Sequence, residues 1–217
     1  MNFLEKRKIL LIISGGIAAY KSLDLIRSLI KIQCEVKTIL TKGGAEFVTP
    51  LSIASLSKNK VYSDMYSVEN ESEMDHISLS RWADLILIAP ATSNIIAKMS
   101  QGISDDLATT VVQASNKSIF VCPAMNVRMW EHASNKQNLE KIKSYNYRII
   151  GPFNGEMACG EYGDGRMANI EYILKELDNF FKSKSSNKKY RAIVTAGPTQ
   201  EYICLLYTSD AADDLIG

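Results

Sequence analysis

Lys8-Ile9-Leu10-Leu11-Ile12-Ile13-Ser14-Gly15-Gly16-Ile17-Ala18-Ala19-Tyr20-Lys21 is the stretch whose reading decides the fold. Lys8–Ile13 is an unbroken β-branched and leucine-rich run, the pattern of a strand buried on both faces of a parallel sheet. The glycines after it allow a tight turn and close backbone approach. From Ala18 to Ile32 apolar residues recur at helical spacing through Ala19, Leu23, Ile26 and Ile30. A strand, a glycine turn and a helix start present free N–H groups and the positive end of a helix dipole to an anion. The plainer reading is an ordinary βα turn, because the third glycine of the dinucleotide fingerprint is missing.

Working outward, the same unit recurs. Glu35–Leu40 is a strand that runs into Thr41-Lys42-Gly43-Gly44 and a short helix to about Phe47. Pro50–Ser57 reads as a helix, Val61-Tyr62 as a brief extended piece and Ser67–Met74 as a polar surface loop. Leu85–Ala89 is the clearest buried strand, followed by Pro90-Ala91-Thr92-Ser93-Asn94 and a helix over Ile95–Ser100. Gly102–Leu107 is a turn with an N-cap for a helix over Leu107–Ala114. Ser118–Cys122 is a further strand, stopped by Pro123, which has no N–H to give. A helix over Asn135–Tyr145, a last strand at Tyr147–Ile150 and a helix over Asn169–Phe181 complete the series. This alternation predicts an α/β fold, a doubly wound parallel sheet between two helical layers. Ligands of such sheets sit at the carboxyl ends of the strands.

At 217 residues the chain suffices for one sizeable core. Hydrophobic residues make up 46% and charged residues 23%, with a net charge of +1, so no general nucleic-acid field is expected. No apolar run reaches membrane-spanning length, and Ile9–Ile13 is too short for a signal-peptide core, so the expected location is cytoplasmic. Cys34, Cys122, Cys159 and Cys204 show no metal-type spacing. With only two histidines beside them, free thiols and no metal site are expected.

Pro123-Ala124-Met125-Asn126-Val127-Arg128-Met129-Trp130 places an amide, a guanidinium, two thioethers and an indole directly after a strand. A core strand does not need that set, whereas a ligand-facing strand end does, and Asn126 reads as its polar group. His76 precedes an apolar turn leading into Leu85–Ala89 and can reach the same edge; a lone histidine is otherwise an ordinary surface or core residue. Thr92, Ser93 and Asn94 let a flat ring approach the backbone or simply cap the next helix, and both readings are compatible. Gly151–Met167 reads as a long glycine-rich loop without periodicity, either a functional lid or disordered. It carries Cys159 and Arg166. An inert packed thiol is the common fate of a lone cysteine, but the glycine setting argues against it. Lys182–Lys189 is a polar linker, after which Arg191–Thr195 starts a new strand.

Ser14–Lys21, His76, Ala89-Pro90-Ala91-Thr92, Pro123–Asn126 and Ala158-Cys159-Gly160 with Gly163 and Gly165-Arg166-Met167 together resemble the flavin-dependent phosphopantothenoylcysteine decarboxylases. More narrowly they resemble the decarboxylase part of bacterial bifunctional enzymes that carry a phosphopantothenate–cysteine ligase behind it. The resemblance runs from about Lys8 to Ile203. It implies a flavodoxin-like (Rossmann-like) three-layer fold that binds FMN between subunits of a homo-oligomer, a trimer or a multiple of trimers. It implies that Gly15, Gly16, Ile17 and Thr41 line the FMN phosphate and ribityl chain, and that Ala89, Pro90, Ala91, Thr92 and Ala124 lie against the rest of the flavin. His76 would be a base or orienting group, Asn126 would bind the substrate carboxylate or amide beside Met129, and Cys159 would donate a proton. Ala158 and Arg166 would accompany Cys159 in a flap over the substrate.

The implied reaction converts 4'-phosphopantothenoylcysteine to 4'-phosphopantetheine and CO2. Loss of CO2 from a cysteinyl carboxylate alone leaves a carbanion with no electron sink, and transient oxidation of the thiol side by a flavin provides one. The implied division is a decarboxylase domain over residues 1–181, a linker over 182–190 and the truncated start of a ligase domain over 191–203. Residues 204–217 match nothing expected there and resemble a stray translated tail, so ligase activity is expected to be absent. Other members of the fold class give the alternatives: a flavin-binding regulatory subunit, a peptide-cysteine decarboxylase or a flavin prenyltransferase.

Overall fold

The computed structural model describes residues 3–63, 65 and 75–186. Six parallel strands form the central sheet: β1 (Lys8–Ile13), β2 (Glu35–Leu40), β3 (Val61–Tyr62), β4 (Leu85–Ala91), β5 (Ser118–Pro123) and β6 (Arg148–Ile149). Their order is β3-β2-β1-β4-β5-β6. Without the two-residue edge strand β3 this is the flavodoxin-like order, whose direction reverses between β1 and β4. Register is continuous on both sides of β1, with Leu11 opposite Thr38 on one side and Leu87 on the other.

The helices are α1 (Tyr20–Lys31), α2 (Lys42–Ala45), α3 (Pro50–Ser57), α4 (Asp75–Trp82), α5 (Ser93–Gln101), α6 (Leu107–Ala114), α7 (Val127–Glu131), α8 (Ala133–Ser144) and α9 (Ile170–Ser186). Strand periodicity of two divides the core. Ile9, Leu11 and Ile13 point to Leu25, Ile26 and Leu29 of α1, Ile53 of α3 and Ile173 and Leu177 of α9. Leu10 and Ile12 point the other way, to Leu79 of α4, Ile96 of α5, Val111 of α6 and Ile142 of α8. Two buried faces explain why β1 and β4 read as unbroken apolar runs instead of alternating ones.

The structure departs from the sequence-based expectation in several places. β4 runs two residues further than Ala89, to Ala91, with a register shift between Ile88 and Ala91. Pro123 is the last residue of β5, and the ladder is continued past it by Ala124 N–H, which donates to Ala91 O at 3.0 Å. Gly151–Met167 is not an irregular loop: it holds an antiparallel hairpin, β7 (Phe153–Glu156) and β8 (Tyr162–Arg166). Helix α9 continues to Ser186, so the first residues of the expected linker are helical. The expected loop Ser67–Met74 and everything after Ser186, including the ligase-like start and the tail, lie outside the described residues.

Candidate functional site

The carboxyl ends of β1, β2, β4 and β5 open into a cavity of about 1400 Å3, closed on a further side by the β7–β8 hairpin. Single small-molecule sites usually fall within roughly 300–1,000 Å3, so this one has room for two ligands side by side.

Its floor is built by backbone contacts that exclude side chains. A Cβ on Gly15 would stand 2.8 Å from the Gly43 carbonyl carbon, so the turns after β1 and β2 pack main chain against main chain. Thr41 fastens the second turn. Its N–H and hydroxyl both donate to Ile13 O, at 3.1 and 3.2 Å, and its Oγ1 accepts from Gly44 N as the cap of α2. Across the switch point the buried Ser14 hydroxyl donates to Pro90 O at 2.7 Å and accepts from Thr92 N at 3.1 Å. Ser22 donates to Ala89 O at 2.7 Å. The carbonyls of Ala89, Pro90 and Ala91 are therefore held by Ser22, Ser14 and Ala124 respectively. None of Ala89, Pro90 and Ala91 is in the lining of the single-chain cavity; their carbonyls form the support behind it. Thr92 lines the cavity and also caps α5, accepting from Ile95 N at 3.4 Å.

Asn126 lines the cavity as the N-cap of α7, a five-residue helix that sequence periodicity is too short to reveal. Its Oδ1 accepts from Met129 N at 2.8 Å. That bond fixes which end of the amide is oxygen, and among the described residues Nδ2 has no hydrogen-bond partner. The cap thus orients a neutral double donor at the strand end.

The hairpin supplies the opposite wall. Met125 N–H donates to Gly165 O at 3.0 Å, tying β8 to the segment before Asn126. Cys159 lies in the turn closed by Gly160 N–H donating to Met157 O at 2.9 Å. It is exposed, lines the cavity and has its Sγ 3.8 Å from Glu161 Oε2. The other described cysteines are inert by contrast: burial pushes the Cys34 thiol up to about 11 and the fully buried Cys122 thiol further still. Iodoacetamide at pH 8 is expected to alkylate Cys159 in the native protein and to spare Cys34 and Cys122 until it is denatured. Peptide mass mapping checks this, and labelling of Cys34 at a rate comparable to Cys159 would contradict it.

Cations line the cavity as well. Lys98 Nζ is held by Asp105 at 2.7 Å and Asp106 at 3.2 Å. The Asp105 hydrogen bond heads the causes that raise its pKa. Burial works against the Asp106 carboxylate, but the Thr109 N–H and hydroxyl and Lys98 outweigh it, and its pKa lies below the ordinary value. Among the described residues, Lys21 and Arg166, also on the cavity, have no carboxylate within ion-pair distance.

Of the expected site residues, Gly15, Gly16, Ile17, Thr41, Thr92, Ala124, Asn126, Met129, Ala158, Cys159 and Arg166 meet at this one cavity. His76 does not: it lies on α4 and is absent from the cavity lining within one chain. Among the residues missed were Ser14, whose place directly after β1 was the available signal, Ser22, which lies in the first turns of α1, and Lys21, which stands in the quoted motif itself.

A flavoprotein family model matches residues 2–182. The chain is 42% identical over 200 residues to the coenzyme A biosynthesis bifunctional protein CoaBC of Haemophilus influenzae, a match covering 92% of this chain and 50% of that protein. It spans about half the length of the curated relatives it matches. A solved PPC decarboxylase mutant complexed with pantothenoylaminoethenethiol superposes with a TM-score of 0.73 at 29% identity, covering 82% of this chain and 100% of that one. The FMN binding protein AtHal3 gives a TM-score of 0.70 at 32% identity, over 82% and 98% of the two chains.

Proposed function

The chain belongs to the flavoprotein family, and from that premise we propose that it is an FMN-dependent decarboxylase converting 4'-phosphopantothenoylcysteine to 4'-phosphopantetheine and CO2. The reading concerns the matched residues 2–182. The observation that carries it is the meeting, in one cavity, of an oriented amide donor (Asn126), an exposed thiol (Cys159) and a glycine-floored cradle. A site for binding a flavin alone needs the cradle but not the thiol-bearing hairpin.

The cavity fits FMN. The Gly15–Gly43 contact leaves bare backbone where a phosphate and ribityl chain can approach, and the volume leaves space for a substrate beside the cofactor. Gly15, Gly16, Ile17 and Thr41 would hold the phosphate and ribityl chain, with Thr92 and Ala124 towards the ring. When bound, the flavin supplies the reversible two-electron oxidation that gives the departing carboxylate's electrons a sink.

The chain's own residues do the rest. The Asn126 Nδ2 donors bind the substrate carboxylate or its adjoining amide and fix the cysteinyl end, with Met129 beside it. Being neutral, they orient the carboxylate without the ground-state stabilisation a cation would add. The hairpin excludes water from the reacting end. The Cys159 thiol gives a proton to the substrate carbon when the enethiol is reduced.

His76 would complete the site from a second copy of the chain, in a trimer or a multiple of trimers. Two observations support this: His76 is off the cavity of its own chain, and Ile17 and Tyr20, which line the cavity, expose 58% and 54% of their surface. Apolar side chains so exposed beside a site suit cover by a neighbouring subunit.

The test is direct. The purified protein is expected to be yellow and to release CO2 from 4'-phosphopantothenoylcysteine. Cys159→Ser should still release CO2 in a single turnover but accumulate the unsaturated enethiol, seen by mass spectrometry two hydrogens below the saturated product. A colourless protein without CO2 release would reject the function; normal yield of saturated product from the serine variant would reject the role given to Cys159.

A further inference from the structure

Lys21 and Arg166 stand on the same cavity from different elements, Lys21 in the first turn of α1 and Arg166 at the end of β8. Among the described residues neither has a carboxylate within ion-pair distance, whereas Lys98 on the same cavity has two. Burial, and secondarily the charge of Arg166, lower the pKa of Lys21. Arg166 Nη2 donates to Asn169 Oδ1 at 3.2 Å, but its Nε is buried with no hydrogen-bond partner. The guanidinium is seated on Gly155: a Cβ there would stand 3.0 Å from Nη1, at a φ of +157° that glycine tolerates. Glu156 also lines the cavity but is within ion-pair distance of neither cation, and two like charges on one cavity are unfavourable unless an anion enters it.

We propose that Lys21 and Arg166 form a two-cation seat for the phosphate monoester of the substrate, through which the site separates the phosphorylated pantothenoyl compound from its unphosphorylated counterpart. The inference rests on the decarboxylase reading. The substrate has a second anion, the carboxylate that leaves as CO2. Cations beside that group would stabilise it in the ground state and lose their hold as it becomes neutral, which slows the reaction. The phosphate ester keeps its charge throughout, so a guanidinium and an ammonium holding it anchor the substrate without opposing the chemistry. The neutral Asn126 amide remains for the carboxylate. The cofactor phosphate is assigned to the glycine turns after β1 and β2, while Arg166 rides on the hairpin that carries Cys159.

The flavin-loaded protein, its occupancy fixed by absorbance, is titrated calorimetrically with 4'-phosphopantetheine and with pantetheine. The wild type is expected to bind the phosphorylated compound at least about tenfold more tightly, the scale of a charge-assisted contact. Lys21→Met and Gly155→Ala should each reduce that ratio severalfold, and Lys21→Arg should retain most of it. Pantetheine affinity serves as the internal control for folding. An equal affinity of the wild type for both compounds, or an unchanged ratio in Lys21→Met, overturns the proposal. So does a Lys21→Met protein that keeps the ratio but no longer prefers FMN to riboflavin, which would assign the seat to the cofactor. Absence of CO2 release alongside an intact phosphate preference would remove the decarboxylase reading and leave the anion seat standing.

Discussion

Asn126→Asp is expected to lower decarboxylation by about two orders of magnitude or more while FMN stays bound and the melting temperature hardly changes. Aspartate is as good an N-cap as asparagine, so the bond from Met129 N to the side-chain oxygen survives and α7 keeps its start. The fold has no reason to respond. What changes is the other end of the side chain. Two N–H donors aimed at the cavity become an acceptor-only oxygen carrying negative charge, placed where a substrate carboxylate must come. Losing one preorganised donor typically costs about 10²–10³ in rate, and like-charge repulsion adds to that. The measurement is CO2 release at matched flavin occupancy, beside a thermal melt. Loss of the flavin in this variant would mean that Asn126 belongs to the cofactor's shell; unimpaired turnover would remove it from the site.

That prediction depends on a detail the sequence could not supply. Asn126 was legible as a polar group after a buried strand, because an amide following Ser118–Cys122 has no place in a core. That it caps a helix was not, since five residues carry no periodicity. The sheet was legible for a related reason: β1, β4 and β5 are buried on two faces, so their apolar runs are continuous and unmistakable. The helices α3 and α6 matched their expected limits because Thr49 with Pro50, and Asp106, are strong local start signals. What the sequence did not reveal at Ala89, Pro90 and Ala91 is the part played by their carbonyls, because a side-chain reading is blind to which main-chain groups Ser14, Ser22 and Ala124 satisfy. His76 was read from its position before a strand, but it lies on α4 and is absent from the lining of its own chain's cavity. Lys21 went unremarked because its significance lies in the missing carboxylate partner, a fact of three dimensions only.

The hairpin is the sharpest case, and it carries the second large effect. Glycine is depleted in strands, so Gly155, Gly163 and Gly165 made Gly151–Met167 look irregular, yet their φ values of +157°, +155° and +148° are what this hairpin is made of. At Gly165 the requirement is twofold. A Cβ would collide with Met125 O, and an L side chain is strained at that φ whatever the space. Gly165→Ala is therefore expected to detach β8 from Met125, breaking the Met125 N–H to Gly165 O bond and withdrawing Cys159, Ala158 and Arg166 from the cavity together. The strain is about 1–3 kcal/mol. It falls on a two-stranded unit that touches the core through Phe153, Met167 and Met125, while the hydrogen-bonded ladders of the six-stranded sheet do not include it. Circular dichroism should stay close to wild type, proteolysis should newly cut within residues 152–167, and CO2 release should fall by at least about a hundredfold, the range expected when water exclusion and a positioned donor are lost together. Gly160→Ala is the matched control. Its φ is +79°, so the strain is comparable, but a Cβ there meets nothing within 4 Å, and the loss should be markedly smaller. Equal losses in the two variants would show that generic glycine strain, and not the seat on Met125, sets the effect.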